Sequence, residues 1–177
     1  MVPDSVTDSN SAARPDFAES AENLDWPACR VILDSNIWID ILVFDDPVSR
    51  PIVAALESGR LRALIDARCL AELTYVLDYP QFAHRAIDRE QALARVSRLS
   101  QPLEWVAQDT QAVLPKCRDR DDQKFLELAQ AARADWLVSK DRALLKLSRR
   151  TARDFGFKIG VPASFVAACG LAASAGV

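Results

Sequence analysis

Histidine is almost missing from this chain. His84 is the only one, and it lies in a polar segment read as solvated, which argues against a serine–histidine–acid triad. Cysteine is sparse and scattered: Cys29, Cys69, Cys117 and Cys169 include no CxxC pair, which argues against a zinc site. Their spacing fits reduced thiols in a cytoplasmic protein. With five glycines in all, no GxxxxGK or GxGxxG loop occurs, so neither a P-loop nor a dinucleotide fingerprint is present. There is no run of about 18 apolar residues, so no membrane-spanning helix is expected. The acidic N-terminus lacks the apolar stretch of a secretory signal. No internal repeat or low-complexity core is evident.

What remains is a chain of 177 residues, 50% hydrophobic and 27% charged. That is enough for one globular domain with a substantial core. The formal net charge of −3 is unevenly placed. Residues 1–28 carry Asp4, Asp8, Asp16, Glu19, Glu22 and Asp25 against Arg14 alone. Rich in Ser, Asp, Ala and Pro and without periodicity, they read as a flexible acidic tail; residues 29–177 form the domain. From Lys140 to Lys158 seven basic residues face two acids. Such a stripe can hold a phosphate backbone, although a solvated helix face gives the same pattern.

Beyond the tail, strand-like and helix-like segments alternate. RVILDS (30–35), LRALID (61–66), LEWV (103–106), DWLVSK (135–140) and FKIGV (157–161) read as strands. NIWIDILVF opens a helix, and PVSRPIVAALESG (47–59), ARCLAELTYVLDY (67–79), DREQALARVSRLS (88–100), DDQKFLELAQAAR (121–133), DRALLKLSRR (141–150) and PASFVAACG read as helices. A shorter helix is expected around Phe82 to Ile87. Phe125, Leu128, Ala129 and Ala132 follow the i, i+3, i+4, i+7 spacing of a buried stripe, and Asp66 is placed to cap 67–79. Alternating strands and helices imply a three-layer α/β/α domain around a parallel sheet of four or five strands.

The acids fall where such a fold binds ligands, beyond the carboxyl ends of the strands. Asp34 ends the first strand, and Asp141 follows DWLVS in the same way. Asp122 lies on the first turn of its helix, and Glu72 in the second turn after LRALID. CRDRDDQKFLELAQ (117–130) also sets Asp119 and Asp121 beside Asp122. Carboxylates packed together repel unless a cation lies between them. Hard divalent cations take such oxygen ligands. Each acid also has a plainer reading: Asp121, Asp122 or Asp141 as a helix cap, and Glu72 as a surface residue of an amphipathic helix.

RVILDSN, AELTYVL, CRDRDDQKFLELAQAARADWLVSKDRALLKL and the closing VPASF together resemble the PIN-domain family, over residues 30–168. More narrowly they resemble toxin components of toxin–antitoxin systems, relatives of the VapC-type toxins. The resemblance implies a ribonuclease dependent on magnesium or manganese that leaves 5′-phosphate and 3′-hydroxyl ends. Carried over residue by residue, it implies Asp34, Glu72, Asp122 and Asp141 as catalytic and metal-binding acids. Asn36, Asp119, Asp121 and Ser139 follow as auxiliary polar neighbours. Arg118, Lys140, Arg142 and Lys146 flank these acids and are candidates to grip RNA. Arg120 stands where this branch commonly has proline, and DRALL lacks a further acid; neither change removes a core carboxylate.

RNA, a small antitoxin protein and a second copy of the chain are the partners implied. Helices 47–59 and 88–100 are candidates for a homodimer interface. Three other classes share some features: a PIN-fold binding module with negligible cleavage, a metal-dependent phosphatase of another α/β family, and a phosphate-receiver domain. LDSNIW lacks the Asp-x-Asp pair of such phosphatases, and a receiver layout does not account for Glu72 on a helix.

Overall fold

A computed structural model describes residues 28–85, 87–104 and 113–171. The acidic tail lies outside the described residues except for Ala28. In chain order the elements are β1 (Cys29–Leu33), α1 (Ser35–Ile39), a π-helical turn (Asp40–Phe44), α2 (Arg50–Glu57), β2 (Leu61–Ile65) and α3 (Ala67–Leu77). A 3₁₀ turn (Pro80–Arg85), α4 (Arg89–Leu99), β3 (Ser100–Pro102), α5 (Gln123–Ala131) and β4 (Trp136–Val138) follow. The described chain ends with α6 (Arg142–Leu145), α7 (Ser148–Asp154), β5 (Lys158–Gly160) and α8 (Pro162–Ala168).

The five strands form one sheet in the order β3-β2-β1-β4-β5, with every pair parallel. Helices flank the sheet, giving the expected three-layer α/β/α architecture. The apolar runs explain the centre. Val31, Ile32, Leu33, Leu137 and Val138 are almost wholly buried, because β1 and β4 have neighbours on both sides and helices over them. The stripe on α5 also packs inward, with Phe125, Leu128, Ala129 and Ala132 all buried, and α5 lies against both β1 and β4. Trp38, Phe157 and Phe165 fill out the core.

The strand order fixes where a ligand can sit. From β1 the chain steps outward to β2 and β3, then returns across the sheet to β4 on the other side of β1. Loops leaving the carboxyl ends of β1 and β4 therefore diverge, and a crevice opens between them. The two exits are held together: the Asp34 N–H donates to the Val138 carbonyl at 3.0 Å, and Ser139 N–H to Gly160 at 3.0 Å.

Three sequence expectations shift. The third strand is Ser100–Pro102, not 103–106. The Ser100 hydroxyl donates to the Val96 carbonyl at 2.7 Å, so the end of α4 turns straight into the strand. Leu103 N–H still bonds Ile65 at 2.8 Å, whereas Trp105 and Val106 lie outside the described residues. As an edge strand, β3 has one partner and tolerates proline, so its polar SQP sequence carries no apolar signal. The 141–150 helix is broken into α6 and α7 at Lys146–Leu147. The helix expected at 82–87 is the tighter 3₁₀ turn at 80–85.

The four cysteines are all unbridged. Cys29 and Cys169, distant in sequence, influence one another's titration, the Cys29 thiol being pushed up and that of Cys169 held down. Helices α2 and α4, the proposed dimer elements, pack on one another. Among the described residues no helix is long and apolar enough to cross a membrane.

Asp66 tests how local signals hold α3. Its buried carboxylate accepts from Cys69 N–H at 2.8 Å and pairs with Arg68 at 2.9 Å. Asp66→Ala is expected to lower the unfolding free energy by about 1–2 kcal/mol through loss of this cap, as read by urea denaturation. An unchanged midpoint would show that the cap does not stabilise the helix.

Candidate active site

Asp34 is the anchor of the crevice. It follows the three buried residues Val31, Ile32 and Leu33 of β1 and is itself only 4% exposed. A carboxylate in that position must be hydrogen-bonded, and it is. Its Oδ2 accepts from the Ser139 hydroxyl at 2.5 Å and from the Asn36 side-chain amide at 2.7 Å. The backbone N–H groups of Asn36 and Ser35 also favour the charged form. Burial nevertheless dominates and, with repulsion from Glu72, holds the Asp34 pKa above the usual aspartate value.

Ser139 uses both halves of its hydroxyl. While donating to Asp34, its Oγ accepts from the Asp141 N–H at 2.9 Å. Ser139 is wholly buried, so one short side chain ties the exit of β1 to the start of α6. Asn36 makes a parallel link, its Oδ1 accepting from Lys140 N–H at 3.2 Å.

Asp141 is the N-cap of α6: Oδ1 accepts from Ala143 N–H at 2.6 Å and Leu144 N–H at 3.1 Å. The capping reading of Asp141 is therefore correct, and Oδ2 takes part in none of these bonds. Asp122 occupies the N-cap position of α5 but makes no side-chain capping bond. Its charge is thus uncommitted to the helix. The Asp122 pKa is pushed up to about 7, first by burial and then by repulsion from Asp34, Asp141, Asp119 and Glu72. The groups that repel Asp122 come from three other segments of the chain as well as its own.

Glu72 projects from α3, which packs against α1 and α5. One oxygen accepts from the Ser35 hydroxyl at 2.7 Å. The other is in contact with the Lys124 ammonium, which also donates to the Asp121 carbonyl. Asp119 accepts from Asp121 N–H at 3.0 Å, folding the acid-rich lead-in into a tight turn. Asp121 is exposed and contributes its carbonyl to the site more evidently than its carboxylate.

The basic candidates divide. Lys140 is bound to Asp40 by contacts of 2.7 and 2.6 Å to its two oxygens. Asp40 is 5% exposed and begins the π-helical turn after α1. Arg118, Arg142 and Lys146 are exposed. Sequence reasoning missed Ser35, Lys124 and Asp40. Ser35 and Lys124 lie inside the quoted motifs, but their partners are 37 residues away in one case and on another helix in the other, and no local pattern encodes that pairing.

A profile described as the PIN domain matches residues 30–143, more than half the chain. The chain belongs to the PIN-domain family. PIN domains are generally nucleases, act on RNA and generally use divalent metal ions. Comparison with curated proteins finds no match.

The donor chemistry fits such an ion. The clustered groups are hard carboxylate oxygens, and the Lys124 ammonium on Glu72 is a positive charge already drawn to them. Among the described residues no three acids, thiols or imidazoles close around a point as a ready-made ligand group.

The crowding has a pH signature. Asp122 holds its proton to about pH 7 when folded, against 3.8 for an ordinary aspartate. Folding then takes up a proton between those values, so stability contributed by this group grows as pH falls through the window. In chelating buffer the melting temperature is expected to rise from about pH 8 to about pH 5, and Asp122→Asn to flatten that rise. A parent that loses stability over this range, or a variant with the same slope, contradicts the cluster.

Proposed function

We propose that this PIN domain is a metal-dependent endoribonuclease and the toxin of a type II toxin–antitoxin pair, working with magnesium or manganese. The observation that carries the reading is the hydrogen-bond chain that joins Asp34 through Ser139 to Asp141, with Glu72 held by Ser35 next to Asp34 and Asp122 repelled by Asp34, Asp141 and Glu72. These four would hold the ion. When bound, it supplies a Lewis acid for the scissile phosphate and lowers the pKa of the attacking water.

The chain's own residues do the positioning. Ser139 and Asn36 fix the Asp34 carboxylate so that its charge needs no reorganisation. Ser35 does the same for Glu72. Asp141 has one oxygen committed to its helix, which sets the direction of the other. Asp119 and Asp121 shape the rim. Arg118, Arg142 and Lys146 neutralise the RNA backbone on either side. Lys140, tethered by Asp40, adds a fixed positive charge. Contacts of this kind bind phosphate without reading bases.

The toxin assignment rests on the likeness of the central block to VapC-type sequences. An antitoxin peptide and a second copy of the chain are the partners it implies. Growth arrest on expression, relieved by Asp34→Asn, is the expected cellular result.

Labelled RNA incubated with and without magnesium or manganese tests the activity. Asp34→Asn is expected to abolish cleavage, because it removes a carboxylate from the ion site, while RNA binding is kept or strengthened. Cleavage that survives in chelator or in the variant would overturn the assignment. In a parallel salt series, Arg142→Ala with Lys146→Ala is expected to lower the log–log slope by roughly 1–2, because fewer counterions are released. An unchanged slope would mean that RNA approaches from another side.

A further inference from the structure

Lys124 has no role in the reading above, yet its ammonium is in contact with one of the four acids, Glu72. It is the second residue of α5, two positions after Asp122. Its side chain is only 17% exposed. Its ammonium lies over the Phe125 ring, 5.2 Å from the centroid. Its head reaches across to α3, where it pairs with Glu72 Oε2, and donates to the Asp121 carbonyl. Glu72 Oε1 is already taken by Ser35, so both carboxylate oxygens of this acid are held by donors of the chain itself.

Two cations cannot share one carboxylate oxygen at contact distance without strong repulsion. We infer that Lys124 is a built-in counter-cation of Glu72 that competes with the divalent ion for Oε2 and so sets the concentration at which the acid cluster fills. This rests on the reading of Asp34, Glu72, Asp122 and Asp141 as the ion-binding acids. The ammonium keeps a second acceptor, the Asp121 carbonyl, so it can leave Glu72 without losing every partner. Without a divalent ion, the same lysine offsets part of the carboxylate repulsion and keeps α3 and α5 together.

A simple structural ion pair and a competing cation make opposite predictions once metal is added. The full chain, Lys124→Met, Lys124→Arg and Asp122→Asn are titrated with manganese by calorimetry, and each is melted in chelator and in millimolar manganese. Lys124→Met is expected to bind manganese about tenfold more tightly, the order expected on removing a unit charge beside a dication in a partly solvated site. In chelator it melts below the parent, because Glu72 has lost its partner. In manganese its gain in melting temperature exceeds the parent's, since tighter binding to the folded state stabilises more. Lys124→Arg, with the charge kept, is expected to follow the parent.

Equal or weaker manganese affinity in Lys124→Met, with the same loss of melting temperature in both buffers, overturns the inference and leaves Lys124 a structural ion pair. Asp122→Asn separates the two levels. If it loses manganese binding while Lys124→Met is unchanged, only the lysine's role fails. If it binds manganese as the parent does, the acid cluster is not the ion site, and both readings fall.

Discussion

A buried carboxylate at the end of the central strand governs this molecule. Asp34 follows three buried apolar residues and can be kept there only by donors that leave no part of its charge unattended. Those donors come from its own helix turn, through Asn36, and from the far side of the chain, through Ser139. The second is possible only because β4 lies next to β1, which the crossover from the β2–β3 side achieves. The same Ser139 hydroxyl then sets the backbone at Asp141. Fold and site are therefore coupled through one small side chain, and strand order is part of the chemistry.

The second constraint is like-charge crowding. Burial first, then Glu72 beside Asp34, and Asp34, Asp141, Asp119 and Glu72 around Asp122, raise proton affinity at Asp34 and Asp122, which opposes folding at neutral pH. The chain offsets this with Lys124 on Glu72 and with hydroxyl donors from Ser35 and Ser139. Asp66 provides the contrast. It also ends a strand and is also buried, but it caps α3 and pairs with Arg68, which pairs in turn with Glu127. An acid at a strand end is thus structural or chemical according to what faces it: Asp66 meets its own helix and Arg68, whereas Asp34 meets Ser139 and Glu72 from distant segments.

Much of this was legible in the sequence, for physical reasons that can be named. Central strands advertise themselves by continuous apolar runs because both of their faces are covered, so β1 and β4 were plain. The stripe on α5 was plain because helical periodicity survives burial on one side. The edge strand β3 was displaced because a strand with one partner needs no apolar run. The break at Lys146–Leu147 has neither proline nor glycine to mark it. Of the site, the acids at element ends were recoverable from the expected crevice, with Ser139 and Asn36 as polar companions. The Glu72–Lys124 and Asp40–Lys140 pairs were not, since each joins side chains far apart in the chain. The basic stripe needed the same correction: sequence counts charges, and only the fold reveals that Lys140 is already held by Asp40.

The central claim is that these four carboxylates form one ion-binding cluster at the β1–β4 crevice. Anomalous diffraction from crystals grown with manganese tests it most directly. The account predicts an anomalous peak in contact with Asp34 and at least one of Glu72, Asp122 and Asp141, with further ligands supplied by water. Crystals with manganese at full strength in the mother liquor and a peak only elsewhere on the molecule, or none, would contradict it.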